Sequence, residues 1–400
     1  MGDFNQTVVL DAIRRSPTGL SRVELATISG LSAQTLSNIA RRLLEQELVI
    51  ESGKVQNGRG KPRTVLALNP SARFAVGVHL DPAVITFVIL DLSGRVVAHS
   101  TRRTPLTPDA DVVIQEMGDA VAALLAEAGV DPERVLGVGV ASPGPIDPVR
   151  GIVVDPPYLL GWDRVPLRES LSAATGFPVV LEKDVAATAV AEIWGSHSDS
   201  PENFIFVYLG TGVGMGLVYS GAVLRGTSQN AGEVGHIVVD PTGPDCFCGL
   251  RGCVAVTCMP RNLVEEAIRA GVHPEGVNRA DPGAVEAAFL RLCAEARGGD
   301  AAAGAIIDRS ARRIAKAVSV LTNALDVDRV IFGGPYWPAL SEAYLDLVPR
   351  ALRGLTVAPH TADIRVEGTA FGTDVGAVGA ACTVFDKAIS PDTRRLLLEH

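Results

Sequence analysis

No stretch of about 18 consecutive apolar residues occurs in this 400-residue chain, which argues against a transmembrane helix. The opening MGDFNQTVVLDAIRR lacks a basic segment followed by an apolar core, so no secretory leader is expected and the expected location is the cytoplasm. Cysteine is scarce: six residues do not make a disulfide framework, but three of them fall within eight positions. A disorder-prone composition is also missing. Hydrophobic residues make up 47% of the chain, enough for sizeable cores, and the length calls for two or three domains. The net charge of −9 is the wrong sign for a nucleic-acid partner, yet it is unevenly spread. Residues 1–70 hold nine Lys/Arg against six Asp/Glu, and the remainder holds 27 against 39. A mildly basic head on an acidic body is the asymmetry expected when only the head meets phosphate.

The head reads as helices. Residues 5–16 bring Val8, Leu10 and Ile13 near helical spacing, and Pro17–Gly19 makes a turn. Ser21 followed by Glu24 has the capping-box pattern, and Gly30 ends that short helix. Ser32 can cap the next helix, whose Leu36, Ile39, Leu43 and Leu44 share one face. Its opposite face carries Gln34, Thr35, Ser37, Asn38, Arg41 and Arg42. Short amides and hydroxyls near a helix start reach base edges, and arginines bind guanine or phosphate. Two strands around a loop follow, and between Ser52 and Arg63 that loop holds Lys54, Arg59, Lys61 and Arg63 with no acid. This pattern predicts a winged helix-turn-helix on double-stranded operator DNA, with Arg59 and Lys61 on the wing. A three-helix interaction module with a solvated polar face is the competing reading, and the acid-free wing disfavours it.

Beyond Asn69–Pro70 the pattern changes. RFAVGVHLDPAVITFVILDLSGRVVA reads as two apolar strands meeting at Ser93–Gly94, a helix is expected over 109–128, and strands then alternate with helices. That alternation predicts a multidomain α/β protein with two related lobes around a cleft. Cys246, Cys248 and Cys253, with His236 upstream, offer three thiolates and an imidazole, a donor set for a structural tetrahedral Zn2+. Gly249 and Gly252 permit the turns that converge the sulfurs, and buried thiols beside an unrelated histidine are the alternative.

The segments GVASPGPID (139–147), LGTGVGMG (209–216), GEVGH (232–236) and CFCGLRGC (246–253) resemble the ROK family of repressors and sugar kinases, over about residues 70–390. The resemblance implies an actin/hexokinase-like body with a sugar site between its lobes, and the winged head matches the repressor branch. The expected domains are 1–69 for the head, 70–190 for the first lobe and 191–374 for the second. The first lobe is expected to be completed by a C-terminal helix at about 375–400. Gly144, Tyr158, Lys183, Asp184, Glu233 and His236 become the ligand-binding candidates, with Asp184 aligned to the family's catalytic base.

Several positions depart from the kinase pattern. Lys183 and Ala186 replace asparagines, Ala255 a glutamate, and Tyr158 the asparagine of a P-N-x-x-G-W run. The first phosphate loop is altered most: His79, Asp81, Pro82 and Ala83 stand where a D-I-G-G-T-K-like turn is expected. Pro82 lacks an N–H donor and the Asp81 carboxylate repels phosphate, so ATP is not expected and Asp184 is a vestigial base. The glycine loop Gly210–Gly216 and Gly333–Gly334 are retained, which a plain turn would also explain. Lys183 introduces a cation suited to an anionic sugar derivative, unless it pairs with Asp184 or Glu182. The expected protein is a sugar-responsive regulator, probed by a sugar or sugar phosphate and paired on DNA as a homodimer or homotetramer. An ATP-dependent sugar kinase and a regulator docked by a protein partner are the alternatives.

Overall fold

The computed structural model describes residues 2–55, 63–196, 202–272, 276–355 and 364–389. No helix among them is long and apolar enough to cross a membrane. The head contains helices α1 (Gly2–Arg14), α2 (Arg22–Ser29) and α3 (Ala33–Glu45), with strands β1 (Leu20–Ser21), β2 (Val49–Val55) and β3 (Arg63–Leu68). The caps form as the sequence predicts. Ser21 N–H donates to Glu24 Oε2 at 2.8 Å, Glu24 N–H returns to Ser21 Oγ at 3.4 Å, and Gly30 stops α2 at φ 67°. Ser32 Oγ accepts from Thr35 N–H at 3.2 Å and starts α3. Two details differ from the sequence reading. Leu20–Ser21 pairs with β3 as a third strand, because the turn at Pro17–Gly19 delivers the chain alongside it. The β2–β3 ladder runs out to Val55–Arg63, so the wing loop begins beyond Ser52. Arg59 and Lys61 lie outside the described residues.

The first lobe is built on β4 (Phe74–Leu80), β5 (Val84–Asp91), β6 (Val96–Arg103), β7 (Val135–Ser142) and β10 (Val179–Lys183). Helices α4 (Ala110–Glu127), α5 (Leu167–Thr175) and α6 (Asp184–Gly195) and the ribbon β8 (Ile146–Asp147)–β9 (Ile152–Val153) connect them. The second lobe contains β11 (Phe204–Leu209), β12 (Val213–Tyr219), β13 (Ala222–Val223), β14 (Arg329–Gly333) and β15 (Arg365–Gly368). Its helices are α7 (Val254–Thr257), α8 (Pro260–Arg269), α9 (Pro282–Arg297), α10 (Ala301–Leu325) and α11 (Trp337–Arg353), and the last described helix is α12 (Val375–Ile389). The sheet orders are β6-β5-β4-β7-β10 and β13-β12-β11-β14-β15. In each, the middle strand has antiparallel neighbours on one side and parallel ones on the other, the duplication expected of two related lobes. The segment read as two strands holds three, because Asp81–Ala83 is a turn as well as Ser93–Gly94.

Helix α12 packs on the first sheet and on α6 through small residues. A Cβ on Gly139 would lie 1.8 Å from the Ala380 carbonyl oxygen, and one on Gly379 would lie 1.9 Å from that of Ala187. Such approach is open only to glycine. Helix α6 therefore has α12 on one side and β12 on another. At its far end, the Arg14 guanidinium of α1 lies 4.0 Å above the Trp194 ring and donates to the Trp194 carbonyl at 3.1 Å. Trp194 stacks in turn on Phe385 of α12, and Val9, Leu10 and Ile13 of α1 belong to the same buried cluster.

Candidate functional site

The first turn of α6 opens onto a cavity of about 110 Å3 between the lobes. Gly144, Tyr158, Lys183, Asp184 and Glu233 all line it, together with Asp81 and Thr211. His236 does not: its ring turns toward the cysteines. Of the two places the sequence offers His236, its ring lies with the cysteines and not on this cavity. Loss of water around Asp184 pushes its carboxyl up to about 7, against the opposing pull of Lys183. Tyr158 is 40% exposed, holds a left-handed backbone at φ 68°, and points its hydroxyl at Met259 Sδ, 3.8 Å away.

The Lys183 ammonium is fully engaged. It pairs with Glu233 and donates to the carbonyls of Asn230 at 3.0 Å and Ala231 at 3.4 Å. Three donors meet three acceptors, so the free cation anticipated for an anionic ligand is absent. Neither Asp184 nor Glu182 is its partner: Glu182 is held by Arg225 at 2.8 Å. Asn230 had no motif to reveal it in the sequence. Its side chain accepts from Ile146 N–H and donates to Ile146 carbonyl, both at 2.8 Å, and so joins the ribbon of the first lobe to the loop before Glu233.

The phosphate loops face each other at the cleft floor, and Asp81 bridges them. Its carboxylate accepts from Ala83 N–H at 2.9 Å, Thr211 Oγ1 at 2.6 Å, Thr211 N–H at 3.4 Å and Tyr208 hydroxyl at 3.3 Å. Two donors of the glycine loop that could cradle a phosphate are thus already taken by an internal anion. Three of the retained glycines have separate structural reasons, whereas a Cβ on Gly212 would meet nothing within 4 Å. A Cβ on Gly216 would lie 2.2 Å from the Val185 carbonyl, one on Gly214 2.6 Å from Val185 Cγ1, and one on Gly333 2.5 Å from Phe206. His79, buried behind this turn, has its pKa lowered by burial and faces the Tyr208 hydroxyl at 3.3 Å.

The knuckle assembles as the spacing predicts. Donor atoms of His236, Cys246, Cys248 and Cys253 lie within 4.8 Å of one another. His236 Nδ1 is 3.5 Å from Cys246 Sγ, and Cys248 Sγ is 3.7 Å from Cys253 Sγ. A tetrahedron with metal–sulfur bonds of about 2.3 Å and metal–nitrogen bonds of about 2.0 Å has edges near 3.8 and 3.5 Å. The four donors could hold a metal. Gly249 at φ 88° and Gly252 at φ 66° turn the chain between them, and a Cβ on Gly252 would strike the Asp240 carbonyl at 1.5 Å.

On the head, Gln34, Ser37, Asn38 and Arg41 are exposed along α3, with Thr35 and Arg42 half-buried beside them. Thr35 N–H is used by the cap, and Ser37 Oγ donates to Ala33 carbonyl at 2.8 Å, leaving its lone pairs to accept. Arg41 is 3.9 Å from Glu45, a loose exposed pair that leaves its guanidinium free to turn outward.

A winged head of this kind on a duplicated two-lobed body defines a regulator-like member of the actin/hexokinase-like class. The pattern of the ROK family matches residues 75–387, and that of the MarR family matches residues 3–59; the chain belongs to the ROK family. It is 25% identical over 390 residues to the DNA-binding transcriptional repressor Mlc of Escherichia coli, covering 94% of this chain and 95% of that one. It is 29% identical to the xylose repressor of Bacillus subtilis, covering 62% and 64% of the two chains. It is also 34% identical to the N-acetylmannosamine kinase of Pasteurella multocida, covering 71% and 89%. A solved ROK family transcriptional regulator, described as a homologue of the E. coli MLC protein, superposes with a TM-score of 0.78 at 23% identity, covering 97% of each chain.

Proposed function

We infer that the chain is a transcription regulator of the repressor type that binds operator DNA through α3 and its wing and is controlled by a sugar or sugar derivative in the cleft. The observation that carries the reading is the coexistence of the DNA-type head with a nucleotide loop whose donors are occupied by Asp81. Repressors among its relatives support it. The head is taken as residues 1–69, the first lobe as 70–190 with α12, and the second as 191–374. Operator binding places its work in the cytoplasm, as a homodimer or homotetramer matching paired half-sites.

Asp184 and Glu233 supply acceptors to the cleft, while the Lys183 charge is spent internally. That donor-poor wall suits the hydroxyls of a neutral sugar better than a sugar phosphate. The knuckle suits Zn2+, held by His236, Cys246, Cys248 and Cys253. With all four positions filled by protein, the metal is structural, fixing the segment that presents Glu233. Ligand reaches the head through α6, about 18 Å long, which starts at Asp184 and ends under Arg14. A ligand that favours one position of α6 shifts the head by that difference in affinity.

DNA binding by the full chain is tested by mobility shift on its own upstream region. Arg41→Ala is expected to weaken binding by about tenfold and to lower the salt slope by about one; unchanged affinity refutes the placement of α3. Arg14→Ala is expected to leave DNA and sugar affinities intact but uncouple them. A second reading, sugar kinase, draws on the Asp184 carboxyl near 7, a value suited to a general base. ADP release dependent on an added sugar would establish it, and none is expected.

A further inference from the structure

Beyond the cleft reading, we propose that the protein has a second small-molecule site that takes an amphipathic anion, a compact aromatic or branched apolar body bearing one carboxylate or phosphate. It lies in an interlobe cavity of about 290 Å3, which among the described residues shares Pro82, Tyr158 and Thr211 with the Asp184 cavity. That size falls at the lower end of ordinary ligand pockets, about 300 Å3. Its floor is apolar and comes from both lobes: Val113, Leu159 and Trp162 from the first, Val285 and Tyr336 from the second. Trp162 is 1% exposed and belongs to the core of the first lobe.

The charged residues of the described lining both come from the second lobe. Arg261 of α8 and Arg279, in the loop before α9, both line the cavity and both approach the same oxygen of Glu265, at 3.8 and 3.6 Å. Neither distance makes a hydrogen bond. Among the described residues, two guanidinium groups therefore share one carboxylate without a hydrogen bond to it, a surplus of positive charge beside an apolar floor. Guanidinium forks match carboxylate and phosphate oxygens in pairs. Leu106 and Leu160, also on the lining, stand 65% and 66% exposed, apolar surface that a ligand body would cover. Nucleotide is a poor occupant, because Asp81 already fills the Thr211 donors through which a phosphate chain would enter the adjoining loop.

The inference concerns binding and does not depend on the DNA head. Calorimetric titration of the full-length protein with phenyl phosphate, phenylacetate, benzyl alcohol and ATP tests it. Saturable binding of either aromatic anion, with Kd of about 0.1–1 mM, is expected, with benzyl alcohol and ATP at least about tenfold weaker. The double variant Arg261→Ala/Arg279→Ala changes two partly exposed side chains and is expected to keep the wild-type melting midpoint while losing at least about tenfold in anion affinity. Absence of saturable binding for both anions, equal binding of the neutral alcohol, or unchanged affinity in the double variant would each overturn the assignment. Loss of sugar binding with anion binding intact would count against the cleft reading alone.

Discussion

Glu233 and His236 stand three residues apart on one loop and serve two places built on opposite terms. The knuckle brings together four donors at separations that fit a tetrahedral ion. The cleft brings together charges that have already found partners: Lys183 with Glu233, Asp81 with Thr211. A converging donor set and a self-satisfied set can look equally polar in a sequence. They differ in what remains to be offered to a ligand.

The contrast can be broken most forcefully at the knuckle. Cys253 is fully buried, and Cys253→Ala is expected to abolish bound zinc, read by elemental analysis, and to lower the melting midpoint by about 10 °C. Retained stoichiometric zinc would remove the knuckle from the argument. In the cleft, Glu233→Gln leaves the buried Lys183 ammonium without its counter-ion; because Glu233 is itself 68% exposed, the expected cost is only about 1–2 kcal/mol. Adding Lys183→Met should recover most of that loss in denaturant unfolding, and a double variant less stable than the single one would show the pair is not self-compensating.

A smaller effect is expected at Asp184. Its folded carboxyl titrates near 7, above the ordinary 3.8, so the native state holds this proton more tightly than the unfolded chain. Stability from this group is therefore complete below the ordinary value, falls as pH rises, and is lost above about 7. Asp184→Asn should be more stable than the parent at pH about 8, with the gap closing toward pH about 4; a gap constant with pH would contradict the burial of that charge. The smallest effect is a gain. Asp81→Asn removes the internal anion from Thr211, and pyrophosphate is expected to bind weakly, with Kd of about 1–10 mM, where the parent shows none. Pro82 still withholds one donor, which keeps the gain modest.

Much of this was legible beforehand where the chemistry is local. Capping of α2 and α3 depends on residues three apart, and Ser21, Glu24, Gly30 and Ser32 do what their types allow. The knuckle is nearly local too. Its cysteines converge because the turn at Gly249 and Gly252 leaves them little choice. The cleft was legible only in part, because its partnerships cross long stretches of chain. Nothing near Lys183 in sequence announces Glu233, Asn230 or Ala231, and a cation with three distant acceptors reads like a free one. The sequence shows the Asp81 charge, but its grip on Thr211 spans 130 positions and emerges only when the lobes fold together. The same holds for Gly214, Gly216 and Gly333, whose motif spacing says phosphate while their neighbours say close packing.

The contact of Arg14 with Trp194 bears on how such proteins can be recombined. Head and body look like interchangeable cassettes in the sequence, separated neatly at Asn69–Pro70. Yet the α1 face of Val9, Leu10 and Ile13 is buried in the same cluster as Trp194 and Phe385, with Arg14 laid over the indole. A chimera that grafts a foreign reader onto this body, cut at that junction, would expose the tryptophan and leave α6, which starts at Asp184 in the cleft, without its docking partner. The transferable unit is the reader together with its matching docking face, and a designer of hybrid biosensors would need to carry Trp194 and Phe385 across with it.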